Sequence, residues 1–95
     1  MIIAVDFDGT IQTSNKEPNM ILINRLINYQ RRGASIILWT CREGKRLQEA
    51  VLFCMKFGLK FNAINQNVPE GIKRLGNDSR KIFADVYIDD KAVKS

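Results

Sequence analysis

Met1-Ile2-Ile3-Ala4-Val5-Asp6-Phe7-Asp8-Gly9-Thr10 passes in ten residues from a short apolar run to two carboxylates, a glycine and a hydroxyl. The first half is rich in β-branched residues and reads as a buried parallel strand. The second half is a polar turn at its carboxyl end. The same change of character recurs twice further on. Ser35 to Trp39 is a strand-like run that ends in Thr40-Cys41-Arg42, and Ala84 to Ile88 is another that ends in Asp89-Asp90.

Helical patterns separate these runs. From Pro18 to Arg32 the residues Leu22, Ile23, Leu26 and Ile27 fall at helical spacing, with Pro18 suited to the first turn and Gly33 to the stop. Glu43 to Phe57 predicts a second amphipathic helix with Leu47, Ala50, Val51 and Cys54 on one face and Gly58 beyond its end. Phe61 to Asn65 is a weaker third strand. Gln66 to Lys81 is polar and leaves helix or loop open. The alternation predicts an α/β fold: a three-layer, doubly wound (Rossmann-like) parallel sheet of about four strands. With 95 residues, positions 1–95 form a single domain. In such sheets ligands bind beyond the carboxyl ends of the strands, where strand order reverses. The three polar groups stand where that rule requires reactive residues.

Composition narrows the chemistry. Histidine is absent, so histidine phosphatases, His-based zinc sites and Ser-His or Cys-His catalysis are excluded. Neither Cys41 nor Cys54 begins the Cys-x5-Arg loop of cysteine phosphatases, and both read as reduced, largely buried thiols. No apolar stretch is long enough to span a membrane and the amino terminus lacks a basic leader, so a cytoplasmic protein is expected. Net charge is +5, and the surplus of Lys and Arg favours anionic partners: phosphate esters first, nucleic acid second.

Four converging acids need a cation. Two like charges about 4 Å apart repel by roughly 4 kcal/mol at an effective dielectric near 20. Magnesium takes one or two carboxylates and keeps water and substrate phosphate in its other positions. Asp6, Asp8, Asp89 and Asp90 therefore read as a Mg2+ site that also receives phosphate. A carboxylate attacking phosphorus divides one displacement into two through an aspartyl-phosphate. A second carboxylate two residues on serves as general acid and base. If the backbone is extended at Phe7, Asp6 and Asp8 project to one side and Phe7 into packing. Gly9 lets main-chain N–H groups approach the phosphate, and Thr10 anchors the turn.

Asp6-Phe7-Asp8-Gly9-Thr10 after an apolar strand resembles the first motif of the haloacid dehalogenase-like (HAD) hydrolase superfamily, and the later groups resemble its other motifs in order, across residues 2–90. The resemblance implies Asp6 as nucleophile and Asp8 as general acid/base, which points to a phosphatase or a phosphomutase. It implies Thr40 as the phosphate-binding hydroxyl, Asp89-Asp90 as the acidic metal motif, and a lysine for which Lys81 is the first choice and Lys73 the second, ahead of Lys60 or Lys91. Asp90 is the better candidate for direct ligation. Cys41 and Arg42 are expected to line the substrate, Arg42 either as a second anion contact or as a solvated residue. Trp39 reads as core packing. Too few residues follow Asp90 for the family's fifth strand, and neither loop that could hold a cap domain has room for one. A capless site is open, which suits sugar-linked or macromolecular phosphates or closure by a second copy of the chain. The leading expectation is a magnesium-dependent phosphomonoester hydrolase. The rivals are a phosphomutase and a non-enzymatic, receiver-like phospho-acceptor or binding module.

Overall fold

The computed structural model describes residues 1–77, 81–90 and 93–94, the last two by backbone alone. Lys91 lies outside the described residues. Eight elements follow in order: β1 (Ile2–Val5), α1 (Met20–Arg31), β2 (Ser35–Leu38), α2 (Gly44–Lys56), β3 (Ala63–Ile64), α3 (Pro69–Leu75), β4 (Val86–Ile88) and β5 (Val93–Lys94). The sheet order is β3-β2-β1-β4-β5. The first four strands are parallel, as the alternation predicts, and β5 pairs antiparallel with β4. The two residues of β5 occupy the sheet edge that the short tail leaves unaccounted for in the sequence.

This order places each helix. Two right-handed crossovers in the same direction, β1 to β2 and β2 to β3, put α1 and α2 on one face. The third connection reverses direction across β1, so α3 lies on the other face. Alternation along the strands matches both layers. Ile3, Val5, Ile36 and Leu38 pack with Ile23, Leu26, Ala50 and Cys54. Ile2, Ala4, Ile37 and Ala63 pack with Val68 and Ala84. Gly71 of α3 fits close over this second face: a Cβ there would lie 3.6 Å from Ile2 and 3.5 Å from Phe83. Ile2, Ile3, Ile36 and Ile37 are completely or almost completely buried, each contributing about 1.5–3 kcal/mol relative to exposure.

Local chemistry sets the boundaries. Asn19 caps α1, its Oδ1 accepting the Leu22 N–H at 3.3 Å. Pro18 therefore stands before the cap and not in the first turn. Gly58 takes φ +86 after α2, a conformation that ends the helix at little steric cost. β3 is only two residues long, and asparagines extend its work by side chain. Asn62 Oδ1 accepts the Ile36 N–H at 2.8 Å, and Asn65 Oδ1 accepts the Thr40 N–H at 2.8 Å.

Two expectations are corrected. Trp39 is not in the core: the sheet ends at Leu38, and the indole is 46% exposed. Cys41 is exposed because it sits in the turn after β2. Cys54 is buried as expected, and burial pushes its thiol up to about 12, which leaves it inert. Among the described residues no helix is long and apolar enough to cross a membrane.

Candidate functional site

The point where the strand order reverses lies between β1 and β4, and Asp6 stands just above it. Its N–H continues the ladder by donating to Ile88 O at 2.9 Å. Extending the paired registers by one residue flanks Asp6 with Trp39 on β2 and Asp89 on β4. Asp6 Oδ1 accepts the N–H of Phe7 at 2.8 Å. Partial burial holds the Asp6 carboxyl above its ordinary value, against the pull of the Phe7 N–H. The charges of Asp8, Asp90 and Asp89 raise it further, in that order. The other three acids singled out by the sequence thus stand near enough to Asp6 to act on it.

β1 ends at Val5 and the chain turns at once, so Asp6 and Asp8 are not arranged as on an extended strand. Phe7 O accepts the N–H of Thr10 at 3.2 Å and of Gln12 at 3.0 Å. Phe7 is buried, as expected. Asp8 instead meets Arg42, whose Nη2 and Nε donate to Oδ1 and Oδ2 at 2.7 and 2.9 Å. The guanidinium also lies over the Phe7 ring, 4.7 Å from its centroid, and donates to Arg46 O. Arg42 is therefore a positioned group and not a solvated one: its side chain is 13% exposed against 52% for Asp8. Its hydrogen bonds hold the Asp8 carboxyl below the usual range.

Gly9 has φ +76, and a Cβ there would lie 3.2 Å from Asp90 Cβ. A side chain at this position would be strained and would press on Asp90, so glycine is required for the first and last acid pairs to meet. Thr10 is buried, but its hydroxyl has no hydrogen-bond partner among the described residues. It anchors the turn by its main chain: Thr10 O accepts Asn19 Nδ2 at 3.1 Å. Thr40 Oγ1 accepts the Arg42 N–H at 3.1 Å, which shapes the second polar turn. Lys81 is exposed, and its carbonyl accepts Asn67 Nδ2 at 3.1 Å, tethering this stretch to the segment after β3. Lys73 lies beside Arg74, which pairs with Asp85 at the opposite end of the sheet.

Sequence reasoning missed the asparagines. Asn19, Asn65 and Asn67 each fix a turn beside the site by binding main chain, and Asn65 takes φ +53 to do so. The available signal is the spacing Asn62, Asn65, Asn67 around an apolar pair too short to make a full strand.

The donor set fits a hard cation. All four acids offer oxygen, and their mutual repulsion at Asp6 is what a divalent ion would relieve. Among the described residues no three acids or thiols converge tightly enough to enclose an ion. Magnesium does not require that, because it takes one or two carboxylates and retains water. Beside the acids a cleft of about 370 Å3 opens between α1 and β4, lined by Gly9, Thr10, Leu22, Arg25, Ile88 and Asp90 among others.

Fold and site together define a Rossmann-like α/β domain with acidic residues at its topological switch point. No family model and no curated protein matches the chain. Among solved structures, the conserved protein coded by locus from Bacteroides thetaiotaomicron is similar over 97% of this chain and 77% of its own, at 40% identity and a TM-score of 0.80. The chain belongs to the same family as that protein.

Proposed function

We propose that the chain is a magnesium-dependent phosphomonoester hydrolase of HAD-like type, acting through an aspartyl-phosphate on Asp6. The observation that carries the reading is the placement of Asp6: a partly buried carboxyl at the switch point, raised above its ordinary value by that burial and further by the charges of Asp8, Asp90 and Asp89. Ionisation of Asp6 there is unfavourable in isolation, and a cation with a phosphate anion at the same place would relieve it.

Asp6, Asp89 and Asp90 would hold Mg2+, with the Asp8 segment completing the site. When bound, the ion neutralises charge on the nucleophile and the phosphoryl group. Asp6 attacks phosphorus, and the bond from phosphorus to the ester oxygen breaks. Asp8 gives its proton to that oxygen. In the second half Asp8 takes a proton from water, whose oxygen attacks phosphorus and breaks its bond to Asp6. Thr40 supplies a hydroxyl and Lys81 a cation to the phosphoryl oxygens. Gly9 and Thr10 offer main-chain N–H groups, and the turn at Cys41 bounds the substrate. Arg42 holds Asp8 as a carboxylate before substrate arrives; an incoming phosphate ester, as its monoanion, competes for the guanidinium and passes its own proton to the freed Asp8, which then gives it to the leaving oxygen.

The strand order disfavours the receiver-like alternative, whose fold has order 2-1-3-4-5, against 3-2-1-4-5 here. The open site disfavours a phosphomutase, which must exclude water. The protein as a soluble, cytoplasmic enzyme acting on a sugar-linked or macromolecular phosphate, and its assembly as a homo-oligomer, belong to the same proposal. The test is release of inorganic phosphate from an aryl phosphate with and without Mg2+. The reading requires turnover that needs the ion and is lost in Asp6→Asn. Turnover that survives Asp6→Asn, or none with any ester, would reject it.

A further inference from the structure

Trp39 is the chain's single tryptophan, and it is 46% exposed at the end of β2. Tryptophan offers a large, flat apolar surface with an N–H at its edge, the kind that serves as a contact in binding sites. Its main chain is fixed: the Trp39 N–H donates to Val5 O at 2.9 Å, so Trp39 stands one residue past the Leu38–Val5 pair, beside Asp6. Alternation puts Trp39 on the Ile37 face and Asp6 on the Ala4 face, which are the same side of the sheet.

The ring is braced from below. Tyr87 pairs with Ala4 in the sheet register. Its ring meets the indole edge-on at 5.8 Å, with an interplanar angle of 65°. Tyr87 is itself locked, because its hydroxyl donates to Ile82 O at 2.6 Å and accepts the Ala84 N–H at 3.0 Å. The small side chain of Ala4 between the two strands leaves room for the rings to meet. The result is a pre-organised aromatic surface next to the proposed nucleophile, of the kind that captures ligands at low ordering cost.

We infer that Trp39 is the specificity platform of this site, stacking on a planar aromatic ring in the leaving group of the phosphate ester. The inference rests on the phosphohydrolase reading for the position of the phosphate. Two sources supply such a ring: an aryl phosphate, with the ring bonded to the ester oxygen, and a nucleoside 5′-phosphate, with the base further away. Stacking of a base on an aromatic side chain is worth about 1–3 kcal/mol, or roughly fivefold to over a hundredfold in affinity.

A single tryptophan makes the test direct. Asp6→Asn protein in Mg2+ is titrated with phenyl phosphate, adenosine 5′-phosphate, glycerol 3-phosphate and inorganic phosphate, reading indole fluorescence and, in parallel, heat. At least one ring-bearing ester should alter Trp39 emission and bind about tenfold or more tightly than glycerol 3-phosphate. The better of the two identifies the source of the ring. Trp39→Leu should abolish the preference, read by heat, while inorganic phosphate binds as before, and Trp39→Phe should restore most of it. Equal affinity for ring-bearing and compact esters, or a preference that persists in Trp39→Leu, overturns the inference. A ring preference in binding without phosphate release by the unsubstituted protein would uphold the platform and reject the hydrolase reading, so the two failures are distinct.

Discussion

Asp6 and Asp85 are the same side chain placed at opposite ends of one strand pair, and their surroundings are reversed. At the amino end, Asp85 Oδ2 accepts the Ile2 N–H at 2.7 Å while the Asp85 N–H donates to Ile2 O at 2.8 Å. Arg74 adds two hydrogen bonds, at 3.0 and 3.2 Å, and sits over the Phe83 ring. The hydrogen bonds from Arg74 and then Ile2 hold the Asp85 carboxyl below its ordinary value. At the carboxyl end, Asp6 has one main-chain donor and three acidic neighbours, and its carboxyl is held above that value. One end of the sheet uses a carboxylate to fasten β1 to β4. The other holds a carboxyl, Asp6, whose ionisation burial opposes. Structure needs the first and not the second, which is why the carboxyl end reads as the working end.

The largest effect expected from breaking this contrast is on turnover. Asp6→Asn should lower magnesium-dependent phosphate release by about 10^4-fold or more, as loss of a covalent nucleophile does elsewhere, measured by steady-state phosphate release. Asp8→Asn should cost about 10^2- to 10^4-fold, the range for a general acid or base. That loss should be smaller for an aryl ester, whose leaving oxygen needs less protonation, than for an alkyl ester.

How far these residues announce themselves differs along the chain. The fold was legible because β1, β2 and the two long helices carry complete patterns: Ile36, Ile37 and Leu38 are continuous, while Leu22, Ile23, Leu26 and Ile27 repeat at helical spacing. The acids were legible because each begins where an apolar run stops. The clamp between Asp8 and Arg42 was not, since it joins residues 34 apart by a turn geometry that no local pattern encodes. The position of Trp39 was misread for a related reason. A tryptophan continuing an apolar strand looks like core, but β2 ends one residue earlier and leaves the indole half exposed. Asn65 and Asn67 carry little signal because side chains that replace main-chain hydrogen bonds follow no period.

A middle-sized effect should come from Asn65→Ala. It removes the acceptor of the Thr40 N–H and puts at φ +53 a residue that tolerates this conformation less well than asparagine. Loss of the hydrogen bond alone should cost about 1 kcal/mol, read as a lower denaturant midpoint. Asn65→Gly should recover part of it.

The smallest effect belongs to Asp85→Asn. Removing a charged acceptor from a partly exposed pair should cost about 1 kcal/mol at neutral pH. Its pH dependence has a definite sign. A carboxyl whose folded value lies below the ordinary 3.8 contributes stability that is present above that value and is lost as pH falls through the folded one. The substitution should therefore flatten the acid side of the stability profile below about pH 4, followed by urea unfolding across that range.

Asp6 has the opposite sign: its folded value lies above 3.8, so ionisation at neutral pH destabilises the fold when no cation is bound. The most direct measurement is the unfolding free energy of the unsubstituted protein and of Asp6→Asn at pH 7, with and without Mg2+. Without the ion Asp6→Asn should be the more stable of the two, and with it the unsubstituted protein should gain more than Asp6→Asn. Contradiction would come from an Asp6→Asn protein that is less stable without the ion, or one that gains as much from magnesium as the unsubstituted chain.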